Sequence, residues 1–483
     1  MSQKLELRKL MNTPTACFVL LCALSALAGC AVGPDYQRPA LSTPATFKEQ
    51  QGWKVADPRD EAARDNGWAR YSDAQLNALV AQVEISNQNV LAAEAQVRQA
   101  QALLGVASAA YFPIVSGSFS ASRGQAASAS SNGIFTGNPV RNTDRLSFGA
   151  SWEADVWGRI GRVVESNTAA AEASAADLQA ALLSAQAALV QAYIQLCVND
   201  AQRRLLDKTV LAYERSLSIT QNRYAAGITG RIDVAQAETQ LKSAQAQAID
   251  LGIQRAQLEH LIGSLIGQTP AQFSLPPTEI LPLLPQIPLG LPSALLERRP
   301  DVAAAERRAA AANAQIGVAQ AAFFPALTFS AAGGYQDSSL AQLLSLPNRF
   351  WSLGPTLALT LFDAGTRSAQ KEQAIAAYDK SVATYRQSIL TAFQEVEDNL
   401  AALRVLADEA GVQHAATQFA AESLRLTRNQ YQSGTVSYLN VVAAQATALN
   451  AEMSSLNITA RRLLASAALL KALGGDWAGI SAR

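Results

Sequence analysis

The chain has 483 residues, with 39 basic against 39 acidic side chains and 49% apolar residues. The length allows two or three ordinary domains, and the balanced charge gives no reason to expect nucleic acid or a strongly acidic partner. There is no nucleotide loop, no G-x-S-x-G and no plausible triad, and His260 and His414 have no Cys or Glu at ligand spacing, so neither an enzyme nor a metal site is expected.

At the N-terminus, Lys4, Arg8 and Lys9 precede an apolar run from Ala16 to Ala28. At about 13 residues the run suits a secretory signal core and is short of the ~20 that a spanning helix needs. It ends in Leu27-Ala28-Gly29-Cys30, which resembles the bacterial lipoprotein box. On that reading residues 1–29 are a signal peptide, Cys30 is the acylated first residue, and 30–72 form a lipidated N-terminal segment. The plainer alternative is a signal that merely contains a cysteine. Several acyl chains, at ~0.8 kcal/mol per buried methylene, would hold the protein firmly on a membrane. Ala31 in place of Asp implies onward transport to the outer membrane. The covalent lipid on Cys30 is the only non-protein group expected; no cofactor is. Cys17 and Cys22 leave with the signal, so Cys197 is the one remaining thiol and no intramolecular disulfide is available. No long apolar stretch is read after the signal, so a chain that spans the outer membrane must do so with strands.

The rest of the chain repeats itself. SAAYFPIVSGSFSASRG, from Ser108, reads like QAAFFPALTFSAAGG, from Gln320. RYAAGITGRIDVAQAETQL, from Arg223, reads like QYQSGTVSYLNVVAAQATA, from Gln430, with Tyr224 matching Tyr431 and Gly227 matching Gly434. The later pairs keep an offset of about 207 residues, which marks a duplicated unit and no short solenoid period. The first repeat is placed at 73–268 and the second at 293–474. Between them lies a Pro-rich linker, 269–292, running over a surface, and a tail covers 475–483. Each repeat reads as an alanine-rich helix, two strands, a very long helix, a glycine turn and a second helix.

The strand pattern is the sharpest local signal. Leu146, Phe148, Ala150, Trp152, Ala154 and Val156 alternate with polar or small residues, as do Trp351, Leu353, Pro355, Leu357, Leu359 and Leu361. Val115–Ala121 and Leu327–Tyr335 are weaker versions. Each run is about 9 to 13 residues, long enough for a tilted strand to cross a bilayer. A half-buried strand in a soluble sandwich has the same period; the outer-membrane address and the long polar loops favour the membrane. Four strands cannot close, and open edges are not tolerated in lipid. Two chains would make a plugged barrel, and three would give 12 strands with an aqueous bore. The proline-free runs Gly158–Tyr224 and Thr366–Tyr431 predict helices of about 65 residues, near 100 Å each, which are stable only when packed along their length.

The lipobox with CAVGPDYQRP, the block LLERRPDVAAAERRAAAANAQIGVAQAAFFPALTFSAAGG and the turn YQSGTVSYLN resemble the TolC-like outer membrane factor family. The match is to its lipoprotein branch, serving resistance-nodulation-division efflux pumps, and it covers essentially the whole mature chain. The resemblance implies an α+β membrane protein: a homotrimeric channel with a shared 12-stranded transmembrane β-barrel, four strands per chain, above a long periplasmic α-helical barrel closed by an iris-like gate. It implies outer membrane lipid, a periplasmic adaptor and an inner-membrane pump as partners. It places the gate at the hairpin turns of Gly227 and Gly434. There a tyrosine at the position of Tyr431 bonds to an aspartate matching Asp233. A helix N-terminal acid and a packing tyrosine are the plainer readings of those two residues. Relatives commonly carry an acidic ring where this chain has Asn440 and Ala443, so cation selectivity is expected to be weaker here.

Asp155 and Asp363 read as helix caps at strand-to-helix junctions, and Arg299-Pro300-Asp301 as a helix start. After the signal the chain keeps one methionine, Met453, which favours small organic cargo over copper or silver. The expected role is the passive exit duct of an efflux pump. A type I protein-secretion channel and a lipid-anchored coiled-coil scaffold that does not span the membrane are the alternatives.

Overall fold

The computed structural model describes residues 32–40, 47–49, 67–125, 140–287 and 299–475. In chain order the elements are α1 (Ala74–Ser86), α2 (Gln88–Ala109), β1 (Ile114–Gly124), β2 (Arg141–Ala154), α3 (Arg159–Ala225), α4 (Arg231–Leu265), α5 (Pro300–Ala321), β3 (Ala326–Asp337), β4 (Arg349–Ala358), α6 (Thr366–Gln432) and α7 (Tyr438–Ala472). They fall into two compact units. The first holds all four strands with the helix ends that flank them; the second holds α1, α4, α7 and most of α3 and α6.

In the first unit the strands form one antiparallel sheet in the order β1-β2-β3-β4. The register brings the four alternating patterns onto a single face. Val115, Ala150, Ala331 and Leu353 lie in one row, and Gly117, Phe148, Gly333 and Trp351 in the next. Trp152 and Phe329 stack on this face with ring centroids 5.8 Å apart. Phe148, Trp351 and Leu353 are 60%, 75% and 75% exposed, so the described residues do not cover it. The opposite face is largely small and polar, with rows such as Ser116–Gly149–Ala332–Ser352 and Glu153–Thr328–Thr356. Across it the Ser118 and Ser147 hydroxyls lie 2.9 Å apart. A one-residue slip between any two strands would scramble both faces.

Two strands stop earlier than the alternation predicts. β2 ends at Ala154, because Asp155 turns away to cap the next helix: its Oδ1 accepts from the Ile160 amide at 2.9 Å and its Oδ2 from Gly161 at 2.7 Å. β4 ends at Ala358 because its partner β3 begins only at Ala326, after Pro325, which has no N–H to offer. Leu359 and Leu361 therefore lie outside the ladder and are exposed. Asp363 repeats the capping role, accepting from the amides of Gly365 and Arg367.

The segment from Val32 to Tyr36 is held down in the same unit. Buried Arg162 donates to the Val32 and Gly33 carbonyls and to Asp35, Asn313 donates to the Pro34 carbonyl, and the Tyr36 hydroxyl donates to Glu306. Cys30 itself lies outside the described residues.

The second unit has a continuous core. Leu189, Val190, Tyr193, Ile194, Leu196 and Cys197 on α3 pack with Leu76 and Val83 of α1, Ile262 of α4, Ile389 and Val396 of α6 and Leu469 of α7. α3 and α6 each have 67 residues and α4 and α7 each have 35, so the duplication is exact in helix length. One expectation needs correcting here: α3 is, by length and composition, apolar enough to cross a membrane. Half of its apolar window is buried within the chain, where those side chains build the core. The linker is also more than a surface crossing. Leu275 and Ile287 enter the core, Asp200 accepts from the Thr278 amide at 2.9 Å, and Arg204 donates to the Thr278 and Glu279 carbonyls.

Candidate functional site

The two hairpin turns have the same local construction. α3 ends as Gly227 takes φ +66°, its amide bonding the Tyr224 carbonyl at 2.9 Å while Ile228 bonds that of Arg223 at 2.9 Å. α6 ends as Gly434 takes φ +81°, its amide bonding the Tyr431 carbonyl while Thr435 bonds that of Gln430, both at 3.0 Å. This paired closure with a left-handed glycine is the Schellman motif, and it satisfies carbonyls that the last helical turn leaves free. Gly230 and Ser437 then cap α4 and α7, neither through a side chain.

A small apolar and aromatic cluster joins the two turns. Tyr431 and Tyr438 meet edge to face, 5.4 Å between centroids, beside Ala237 and Val441. The Tyr431 hydroxyl lies 3.5 Å from that of buried Thr220, and the Tyr438 hydroxyl 3.3 Å from that of Ser216. Burial pushes the Tyr438 phenol above the ordinary tyrosine range, and the Ser216 contact offsets this only partly. From α3, Arg223 reaches over the Tyr431 ring, its guanidinium carbon 4.7 Å from the centroid, and donates to the carbonyls of Tyr431 and Gln432 at 3.1 and 3.3 Å.

The residues expected at this site are thus divided. Tyr431 is 5% exposed and packed. Asp233 sits in the first turn of α4, where its carboxylate accepts from the Thr229 hydroxyl. The chain makes no Tyr431–Asp233 bond in this conformation; each residue has other partners. Asn440 and Ala443 are exposed on α7, as is Arg231 on α4, which lies 3.7 Å from Glu238. Sequence reasoning missed Arg223, Thr220 and Tyr438. For Arg223 a signal existed, since a basic residue in the last turn of a helix faces the negative end of the dipole.

Among the described residues, six buried side-chain polar atoms lack a partner, and four of them lie in the halves of the hairpin helices nearer the turns: Arg223 Nε, Gln236 Oε1 and both amide atoms of Gln445. Native cores leave few such groups, so this end of the second unit is held less completely than its core.

Comparison with known proteins agrees with this geometry. The profile of the family described as Outer membrane efflux protein matches residues 79–268 and 291–475. The antibiotic efflux pump outer membrane protein ArpC of Pseudomonas putida is 29% identical over 453 residues, covering 93% of each chain. The cation efflux system protein CusC of Escherichia coli is 29% identical over 468 residues, covering 94% of this chain and 98% of its own. The solved outer-membrane channel OprN superposes with a TM-score of 0.85 at 29% identity, over 92% of this chain and 99% of that one. With two matched stretches spanning most of its length, a sheet face left bare and paired helical hairpins, the chain belongs to the outer membrane efflux protein family.

Proposed function

We propose that the protein is the outer-membrane exit duct of a tripartite efflux pump, passively conducting small organic compounds handed over by a periplasmic adaptor and an inner-membrane resistance-nodulation-division pump. The observation that carries this is the register of the sheet, which collects the apolar side chains of four strands on one uncovered face and leaves small polar residues on the other. β1 and β4 each pair on one side only, so their outer backbone groups need partners before the sheet can enter lipid. Three copies supply them by closing a shared 12-stranded barrel, and the long helices of the same three copies form the periplasmic tunnel. Residues 1–29 are the cleaved signal, Cys30 carries the lipid, and the repeats at 73–268 and 293–474 supply one hairpin pair each. The turns at Gly227 and Gly434, with Asp233, Tyr431 and Asn440, form the periplasmic gate.

Organic cargo is the reading favoured by Met453 being the sole methionine after the signal run, since soft thioether ligands suit copper and silver. ArpC is named for antibiotics and CusC for cations, so the family accommodates both. Light scattering on the detergent-extracted protein, with detergent subtracted, tests the architecture. Three chains per particle is the expected result. One chain per particle leaves four strands without closure and makes a lipid-anchored scaffold the better reading.

A further inference from the structure

We propose that Arg223 is a latch that holds the tip of the α6/α7 hairpin against α3, a positioning residue for the gate; this rests on the channel reading above. α3 and α6 end beside one another, each presenting last-turn carbonyls and the negative end of its dipole. Two such ends repel unless a cation lies between them. α6 has no basic residue in its own last turn, and the duplication puts neutral Gln430 at the position matching Arg223. The cation comes only from the first copy. Arg223 crosses from α3, donates one guanidinium nitrogen to both the Tyr431 and Gln432 carbonyls, and lays its charge over the Tyr431 ring. One side chain therefore makes all of these contacts between the copies at this point. Its Nε is buried without an acceptor, so the guanidinium is incompletely satisfied and the contact can be exchanged for another. Removing it would loosen the hairpin tip, leaving the tyrosine cluster and both Schellman turns in place.

The test uses the full-length, detergent-extracted protein in planar bilayers. R223A is expected to raise single-channel conductance about twofold or more, because conductance follows the narrowest section of a pore. R223M, of similar reach but without donors or charge, is measured beside it and is expected to behave alike. R223K, which keeps a charge and a donor, is expected to restore part of the closure. Y431F removes the hydroxyl beside Thr220 but keeps the ring and the carbonyl, and is expected to raise conductance less than R223A. Particle mass and melting temperature are followed in each variant, since a merely structural role would lower these without moving conductance. Wild-type pores with R223A and R223M unchanged overturn the latch alone. A rise in Y431F equal to that in R223A also overturns it, assigning closure to the tyrosine hydroxyl. Wild-type protein that forms no pores overturns the channel reading and the latch with it.

Discussion

Glycine positions that look equivalent in the sequence differ sharply in what surrounds them. Gly434 has φ +81° and open space where a Cβ would sit, so Gly434→Ala should cost only backbone strain, about 1 kcal/mol. Gly267 has φ +72°, and a Cβ there would lie 2.2 Å from the Ser86 carbonyl oxygen, so Gly267→Ala must also displace α1. Thermal unfolding in detergent should show a distinctly larger loss for Gly267→Ala. The helix start at Asp301 has a pH signature. Burial alone would raise its carboxyl, but the paired bond and charge of Arg299, with the Val302 amide, hold it below the usual range. A depressed folded-state value means that its stabilisation is complete above the unfolded value, about pH 4, and fades as pH falls through the lower folded value. Asp301→Asn should therefore flatten the acid limb of an unfolding curve below about pH 4 while changing its slope little at neutral pH. Roles such as those of Asp301, Asp155 and Asp363 were legible because capping is settled within a few residues. For Arg223 the helix-end position was legible but the acceptors were not, because they lie more than two hundred positions away and depend on which helices run side by side.

At the scale of elements, period two and proline-free length were enough to place the four strands and both long helices, since each pattern is local. Strand ends were less legible: Leu359 and Leu361 continue the alternation but have no partner across Pro325. The linker's prolines mark it as irregular, yet nothing in them tells that Leu275 and Ile287 join the core. α6 carries a further pattern. Val405, Val412, Phe419 and Leu426 recur at every seventh residue, and all four are exposed in the single chain. A heptad repeat of this kind is a seam for another helix. In the proposed trimer it faces a neighbouring copy, so Phe419→Glu should lower the particle mass from three chains towards one while leaving far-UV helix content largely intact. An unchanged mass would place the seam elsewhere.

For the whole molecule, the charge at the narrowest point decides what passes. Asn440 is exposed next to the second turn, and the proposed gate would put it at the constriction. Asn440→Asp should shift the reversal potential in a salt gradient towards greater cation preference and make conductance more sensitive to divalent ions. An identical reversal potential would mean that Asn440 does not line the constriction. The open sheet has a last consequence, for how the protein is made. β2 pairs with β3, so the seam between the two repeats lies in the middle of the sheet, and each repeat contributes one unpaired edge. A newly exported chain therefore carries two sticky edges and an aromatic face through an aqueous compartment, a combination prone to mispairing. If three copies share one barrel as proposed, insertion cannot precede assembly, because a free edge is not tolerated in lipid. Biogenesis should then depend steeply on the supply of chains and on a chaperone that shields the sheet, and a modest fall in synthesis should cost more than a proportional share of finished channels.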